Sequence, residues 1–157
     1  MNSIKLRLFS DEDTYLMERW LQKEHVKKWY EDPDDWLIEI KGRQAEFKFI
    51  KHFIALHNDA PIGFCQYYKC ADANEDWYGN IPISGTYSID YLIGEEMTLG
   101  KGFGKRIIAL LIKEIFALAD SERIIVQPDD DNKASCNSLL SNGFIFNNEN
   151  GLYLKSK

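Results

Sequence analysis

The stretch YSIDYLIGEEMTLGKGFGKR, Tyr87 to Arg106, changes its period halfway along. Its first half is apolar and aromatic with a single acid, Asp90, and reads as a strand over Thr86 to Ile93. An acidic patch follows, then the glycines Gly100, Gly102 and Gly104, spaced two apart, then the basic pair Lys105 and Arg106. From Gly102 to Leu118 apolar residues recur at Ile107, Ile108, Leu111, Ile112, Ile115 and Phe116, which is helical spacing. A glycine loop that opens a helix lets backbone N–H groups and the positive helix end converge on one anion. Lys101, Lys105 and Arg106 add mobile positive charge there, and the missing Cβ atoms let a pyrophosphate approach the backbone. An ordinary glycine-rich turn before a helix is the alternative. GxxxxGK[ST] is absent and no strand-helix-strand unit carries GxGxxG, so the loop is neither a Walker loop nor a dinucleotide fingerprint.

Outward from this stretch, strands and helices alternate. Ile4 to Phe9 reads as a strand; Ser10 caps a helix that runs to about Lys23, with Asp11, Glu12 and Asp13 in its first turn. DPDDWLIEI begins a second helical stretch with Pro33 near its first turn. Phe53 to Leu56 and Ile62 to Tyr68 form a hairpin through Asn58, Asp59, Ala60 and Pro61, followed by a loop from Ala71 to Pro82. Arg123 to Gln127 is a short buried strand, and Lys133 to Ser141 a helix capped by Asn132 and stopped by Asn142 and Gly143. FIFNNENGLYLK closes the chain as a hairpin turning at Asn150 and Gly151. This order predicts an α/β fold, a mixed sheet with helices packed on it.

A chain of 157 residues with 45% hydrophobic composition accommodates one domain, taken here as residues 1–157. No window approaches a membrane span and the N-terminus lacks an apolar signal core, so a soluble cytoplasmic protein without a membrane partner is expected. Cys65, Cys70 and Cys136 match neither a zinc spacing nor a disulfide framework. His52 and His57 form no ligand spacing with any cysteine, so no metal is expected. A net charge of −6 argues against a nucleic acid partner. The acidic clusters WYEDPDDW and DANEDWY sit among aromatic rings, a combination that suits a cationic, partly apolar small molecule rather than mere solvated surface.

LGKGFG, Leu99 to Gly104, resembles the pyrophosphate loop of the GNAT superfamily of acyl-coenzyme A-dependent N-acyltransferases, and DNKASCNSLLSNGF resembles its second signature. The similarity is greater to the aminoglycoside N-acetyltransferases that modify the 6-prime amine, through LRL near the start, Trp20 to Tyr30, PIGFCQYY and above all YSIDYLIGE. It covers about Ile4 to Leu154. The resemblance implies a mostly antiparallel central sheet with helices on both faces, and acetyl-coenzyme A as the donor. It implies a donor site of Tyr91, Leu92, Ile93, Leu99, Gly100, Lys101, Gly102, Phe103, Gly104, Lys105 and Asn132.

Acyl transfer needs a neutral amine, and deprotonating one with a pKa of ~10.4 at pH 7 costs roughly 4–5 kcal/mol. The resemblance gives that task to Asp90 as catalytic base, with backbone N–H groups around Leu92 polarising the thioester carbonyl. His25, Trp29, Tyr30, Asp76 and Trp77, with Asp90, are the expected acceptor contacts, and Trp36 and Tyr78 further aromatic walls. Three positions depart from the pattern: Leu99 stands where the loop usually begins with Gln or Arg, Asn137 where relatives tend to have Arg, and Leu139 where many carry a proton-donating Tyr. The general acid is therefore unassigned. The expected activity is acetylation of a primary amine on an aminoglycoside-like polycation, a chemistry of antibiotic resistance. The alternatives are acylation of a siderophore hydroxylamine or polyamine, and a non-catalytic coenzyme A sensor.

Overall fold

Strand side chains that alternate between two apolar faces organise residues 3–157, the part of the chain described by the computed structural model. β1 (Ile4–Leu8) leads through a 3-10 turn at Asp11–Asp13 into α1 (Thr14–Leu21), then α2 (Glu24–Lys27) and α3 (Pro33–Lys41). β2 (Ile50–His57) and β3 (Ala60–Lys69) form a hairpin, and α4 (Cys70–Ala73) begins the long loop to β4 (Thr86–Ile93). α5 (Phe103–Phe116), β5 (Arg123–Val126), α6 (Lys133–Ser141), β6 (Ile145–Asn147) and β7 (Leu152–Ser156) complete the chain. The strands form one seven-stranded sheet ordered β1-β2-β3-β4-β5-β7-β6. Every pairing is antiparallel except β4 with β5.

One face buries Phe53, Ala55, Cys65, Tyr87 and Ile89 under α5, whose Ile107, Ile108, Leu111 and Ile115 are fully covered. The other buries Ile54, Leu56, Phe64 and Leu92 against Met17, Trp20, Leu21 and Ile40 of α1 and α3. Each such side chain contributes about 1.5–3 kcal/mol relative to exposure. Helices therefore cover both faces of the sheet, as expected.

Several boundaries differ from the sequence reading for local reasons. The β2–β3 turn is only Asn58 and Asp59, both at positive φ (50° and 70°), while Ala60 and Pro61 already belong to β3. Pro61, which has no N–H to donate, pairs with Leu56 where the register shifts by a bulge. The first helix is split: the 3-10 turn precedes α1, which ends at Leu21, and α2 is a separate turn. The last hairpin pairs Asn147 with Leu152, so its loop is residues 148–151 rather than Asn150 and Gly151 alone. Cys65, Cys70 and Cys136 are free and buried. No helix of the described residues is long and apolar enough to cross a membrane.

β3 pairs with β4 over the whole of Tyr87–Ile93, whereas β5 pairs with β4 only at Thr86↔Arg123 and Tyr87↔Ile124. β5 is four residues long and runs into Gln127 and Pro128, so from Ser88 onward the two strands part. Close approach of β3 holds β4 in place on its other side: a Cβ on Gly63 would stand 2.3 Å from the Leu92 carbonyl oxygen. Gly63→Ala should therefore cost about 1–3 kcal/mol as overpacking against backbone, which lowers Tm by about 2–4 °C for each kcal/mol. A thermal melt identical to that of the parent would contradict this packing.

Candidate active site

Where β4 leaves β5, its backbone groups alternate in direction. The Gly94 N–H donates to the Ile62 carbonyl at 2.8 Å, so strand alternation sends the Leu92 and Asp90 backbone toward β3. The Tyr91 and Ile93 backbone faces the gap instead. There the Tyr30 hydroxyl donates to the Tyr91 carbonyl, and His25 Nε2 lies 2.8 Å from the Ile93 carbonyl, which it must approach as an N–H donor. The carbonyls are thus occupied. The amides that point into the gap are those of Tyr91 and Ile93, on either side of Leu92.

A groove of about 410 Å³ runs along this edge to the glycine loop. It is lined by Tyr91, Leu92, Ile93, Leu99, Gly100, Gly102, Phe103, Gly104, Lys105 and Asn132, together with His25, Ala134, Ser135 and Ser138. Gly100 and Gly102 adopt φ of +73° and +79°, with no atom within 4 Å of where a Cβ would stand. That open space lies at the mouth of the groove, where a side chain would take the room an anion needs beside the backbone. Gly102 caps α5, whose first N–H groups have no partner within the helix. This cradle fits a pyrophosphate, and Lys105 supplies charge at its rim. Lys101 is exposed and does not line the groove.

A second cavity of about 510 Å³ opens on the other side of Asp90. Its carboxylates are Glu31, Glu39, Glu75, Asp90 and Asp129, and no Lys, Arg or His lines it. Aromatic walls come from Trp29, Tyr30, Trp36, Tyr68 and Trp77 among others. Glu75 Oε1 accepts from the Tyr68 hydroxyl at 3.0 Å and from Trp77 Nε1 at 3.2 Å, which fixes that carboxylate at the rim. Trp29, Tyr30, Tyr91, Asn132 and Ser135 line both cavities, so the two meet beside Asp90.

Asp90 is partly buried and receives one hydrogen bond, from Gln66 Nε2 at 2.9 Å. Burial pushes its carboxyl up to about 7; the Gln66 bond opposes this, while the Glu39 and Glu75 charges add to it. Glu39 is itself raised by burial and by Glu75 and Asp35. A carboxyl near 7 holds and releases a proton at neutral pH, as a general base requires.

The structure thus brings Trp29, Tyr30, Trp77 and Asp90 to the acidic cavity, and the glycine loop, Tyr91 to Ile93 and Asn132 to the groove. Besides Lys101, three expectations fail. Asp76 is exposed and lies outside the cavity, its neighbour Glu75 taking the rim position. His25 lines the groove, not the acidic cavity. Tyr78 is buried in a core cluster with Cys70, Ile125 and Leu152. Glu39, Gln66 and Ser135 were missed; only Glu39 left a signal, three residues after Trp36 on the same helical face. His52 is buried without a partner for either ring nitrogen, and burial depresses it to about 4.

The acetyltransferase (GNAT) domain family matches residues 10–152. The chain is 24% identical over 149 residues to the aminoglycoside N(6')-acetyltransferases type 1 of Klebsiella pneumoniae and Serratia marcescens, covering 91% of this chain and 74% of each relative. Its structure is similar to aminoglycoside acetyltransferase AAC(6')-Ib in complex with coenzyme A, with a TM-score of 0.80, 21% identity and coverage of 99% and 95% of the two chains. It also matches a domain from Methanocaldococcus jannaschii, with a TM-score of 0.74, 17% identity and full coverage of both chains.

The raised Asp90 carboxyl makes a stability prediction whose sign is fixed. The folded chain keeps a proton that the unfolded chain, at an ordinary 3.8, has released, so stability falls as pH rises toward about 7. Asp90→Asn removes that loss. Relative to wild type, the variant should gain Tm progressively between about pH 4 and 7 and level off above. Melts at intervals from pH 4 to 8 check this; a difference that does not change with pH would contradict it.

Proposed function

The chain belongs to the GNAT acetyltransferase domain family, and from that premise we propose that it acetylates a primary amine of an aminoglycoside-like polycation, with acetyl-coenzyme A as donor. The observation that carries the reading is the place of Asp90, at the meeting point of an acidic cavity and a glycine-loop groove. When bound, the donor supplies an electrophilic thioester carbonyl and a thiol leaving group.

The residues of the chain do the rest. Gly100 to Gly104 and the first turn of α5 hold the pyrophosphate, and the Tyr91 and Ile93 amides face the donor's arm and its carbonyl. Glu31, Glu39, Glu75 and Asp129 hold the ammonium groups that do not react, while the aromatic walls pack on the apolar faces of the acceptor. Asp90 takes the proton of the attacking amine. No covalent enzyme is needed: burial pushes the Cys65 and Cys70 thiols up, Cys70 to about 12, and none of the three cysteines lines either cavity. The relatives and solved structures named as aminoglycoside acetyltransferases support the acceptor class.

A thiol-release assay over aminoglycosides, polyamines and peptide amines tests the reading directly. Aminoglycosides should give the highest kcat/KM, and their KM should rise with salt more than that of the donor, because exposed carboxylates attract polycations through a screened field. Turnover only with polyamines, a siderophore hydroxylamine or a neutral amine would replace the proposed acceptor. Donor binding without turnover of any amine would make the chain a sensor. Asp90→Asn should lower kcat by ~10²–10⁴ while leaving donor affinity intact, and the deficit should shrink as pH approaches the amine's own pKa. Full activity in that variant would remove Asp90 as the base.

A further inference from the structure

Position 139 carries no proton or hydrogen-bond donor at its side chain: Leu139, on α6, is fully buried in the core cluster that includes Ile107, Ile108 and Leu111 of α5. One helical turn earlier on the same face of α6 stands Ser135, which is buried yet lines both cavities. The Tyr91 hydroxyl donates to Ser135 Oγ at 3.1 Å. Because Ser135 accepts from Tyr91, its own O–H is free to point elsewhere. The Tyr91 ring is fixed by Gly104, where a Cβ would stand 3.1 Å from it, and this packing holds the phenol between the first turns of α5 and α6. Asn132 Oδ1 accepts the Ser135 N–H at 3.2 Å and fixes that turn of α6. Ser138 also lies close enough to favour the ionised Tyr91 phenol, but it lines the groove alone.

We propose that Ser135 Oγ–H, oriented by the Tyr91 hydroxyl, is the donor that stabilises negative charge on the departing sulfur, an inference that rests on the acetyl-transfer reading above. Ser135 is then a catalytic residue and Tyr91 a positioning residue. With the donor bound, the amine nitrogen would bond to the acetyl carbon as the C–S bond breaks, and Ser135 would meet the electron pair left on sulfur with a hydrogen bond. Ser135 and Tyr91 keep their protons: burial raises the Tyr91 phenol above its usual value near 10, so it does not yield to a thiolate whose reference is ~8.5. Asp90, holding the amine's proton at a pKa of about 7, can pass it downhill to the sulfur.

Calorimetric titration of free coenzyme A from pH 6 to 10, in buffers of different ionisation enthalpy, reads this contact without turnover. In wild type the bound thiol should titrate below its free value, and Ser135→Ala should raise that midpoint by about one unit, the size expected for a hydrogen bond to a charged group. Affinity at pH 6, where the thiol is neutral, should not change, which also reports an intact fold. Tyr91→Phe should move the midpoint in the same direction by less, and serves if the serine variant is unstable. Both variants should lower kcat, by about tenfold or more for Ser135→Ala, with KM for the donor held. Equal midpoints in wild type and Ser135→Ala, with coenzyme A bound normally, would overturn the serine contact alone. Absence of coenzyme A binding by wild type would overturn the donor groove and this inference with it.

Discussion

The parting of β4 from β5 after two paired residues is the constraint on which the rest of the site depends. A sheet that stayed paired would consume the backbone of Tyr91 and Ile93 in a ladder and leave Asp90 covered. Because β5 is short and ends at Val126, two residues before Pro128, the edge is left open, and buried backbone groups there need partners. Tyr30 and His25 take the carbonyls, which also ties the segment around α2 across the gap. The amides remain directed at the groove. One interruption in a parallel pairing thus creates a channel, its polarity and its closing strap.

The electrostatics of the acidic cavity serve two ends that oppose each other. Burial, with the Glu39 and Glu75 charges adding to it, raises the Asp90 carboxyl, which makes it a better base at neutral pH and a less comfortable charge in the folded chain. On the proposed function, a polycationic acceptor would neutralise that field and so supply the countercharge that no Lys, Arg or His of the cavity lining provides. Gln66 limits the effect with one N–H; its other amide atom, Oε1, is buried without a protein partner. A neutral Asp90 carboxyl could donate to that oxygen after an amide flip, so Gln66 suits both protonation states.

How much of this was legible follows the range of the signals. Thr86–Ile93 and Lys133–Ser141 were readable to the residue, because a period of two, a helical period, an Asn cap and a terminal glycine are local. Most of the groove lining was readable for the same reason, its glycines and the adjoining strand being nearly contiguous in sequence. The acidic cavity was not. Glu39, Gln66 and Ser135 reach it from α3, β3 and α6, and only the sheet order brings those elements to one place. Composition located acids and aromatics correctly as a class, yet chose Asp76 over Glu75, since a turn in α4 and its left-handed cap at Asn74 decide which neighbour faces inward. His25 was misplaced because nothing in its surroundings announces the Ile93 carbonyl, distant by 68 residues.

Burial in the acidic cavity, beside its meeting with the groove, raises the Asp90 carboxyl to about 7. Carbon-13 NMR of selectively labelled aspartate carboxyls, assigned by comparison with Asp90→Asn, measures it directly. The account predicts a titration midpoint of about 7 for Asp90 in the free protein, falling when a cationic acceptor binds. A midpoint near the ordinary 3.8, unmoved by acceptor, would contradict it.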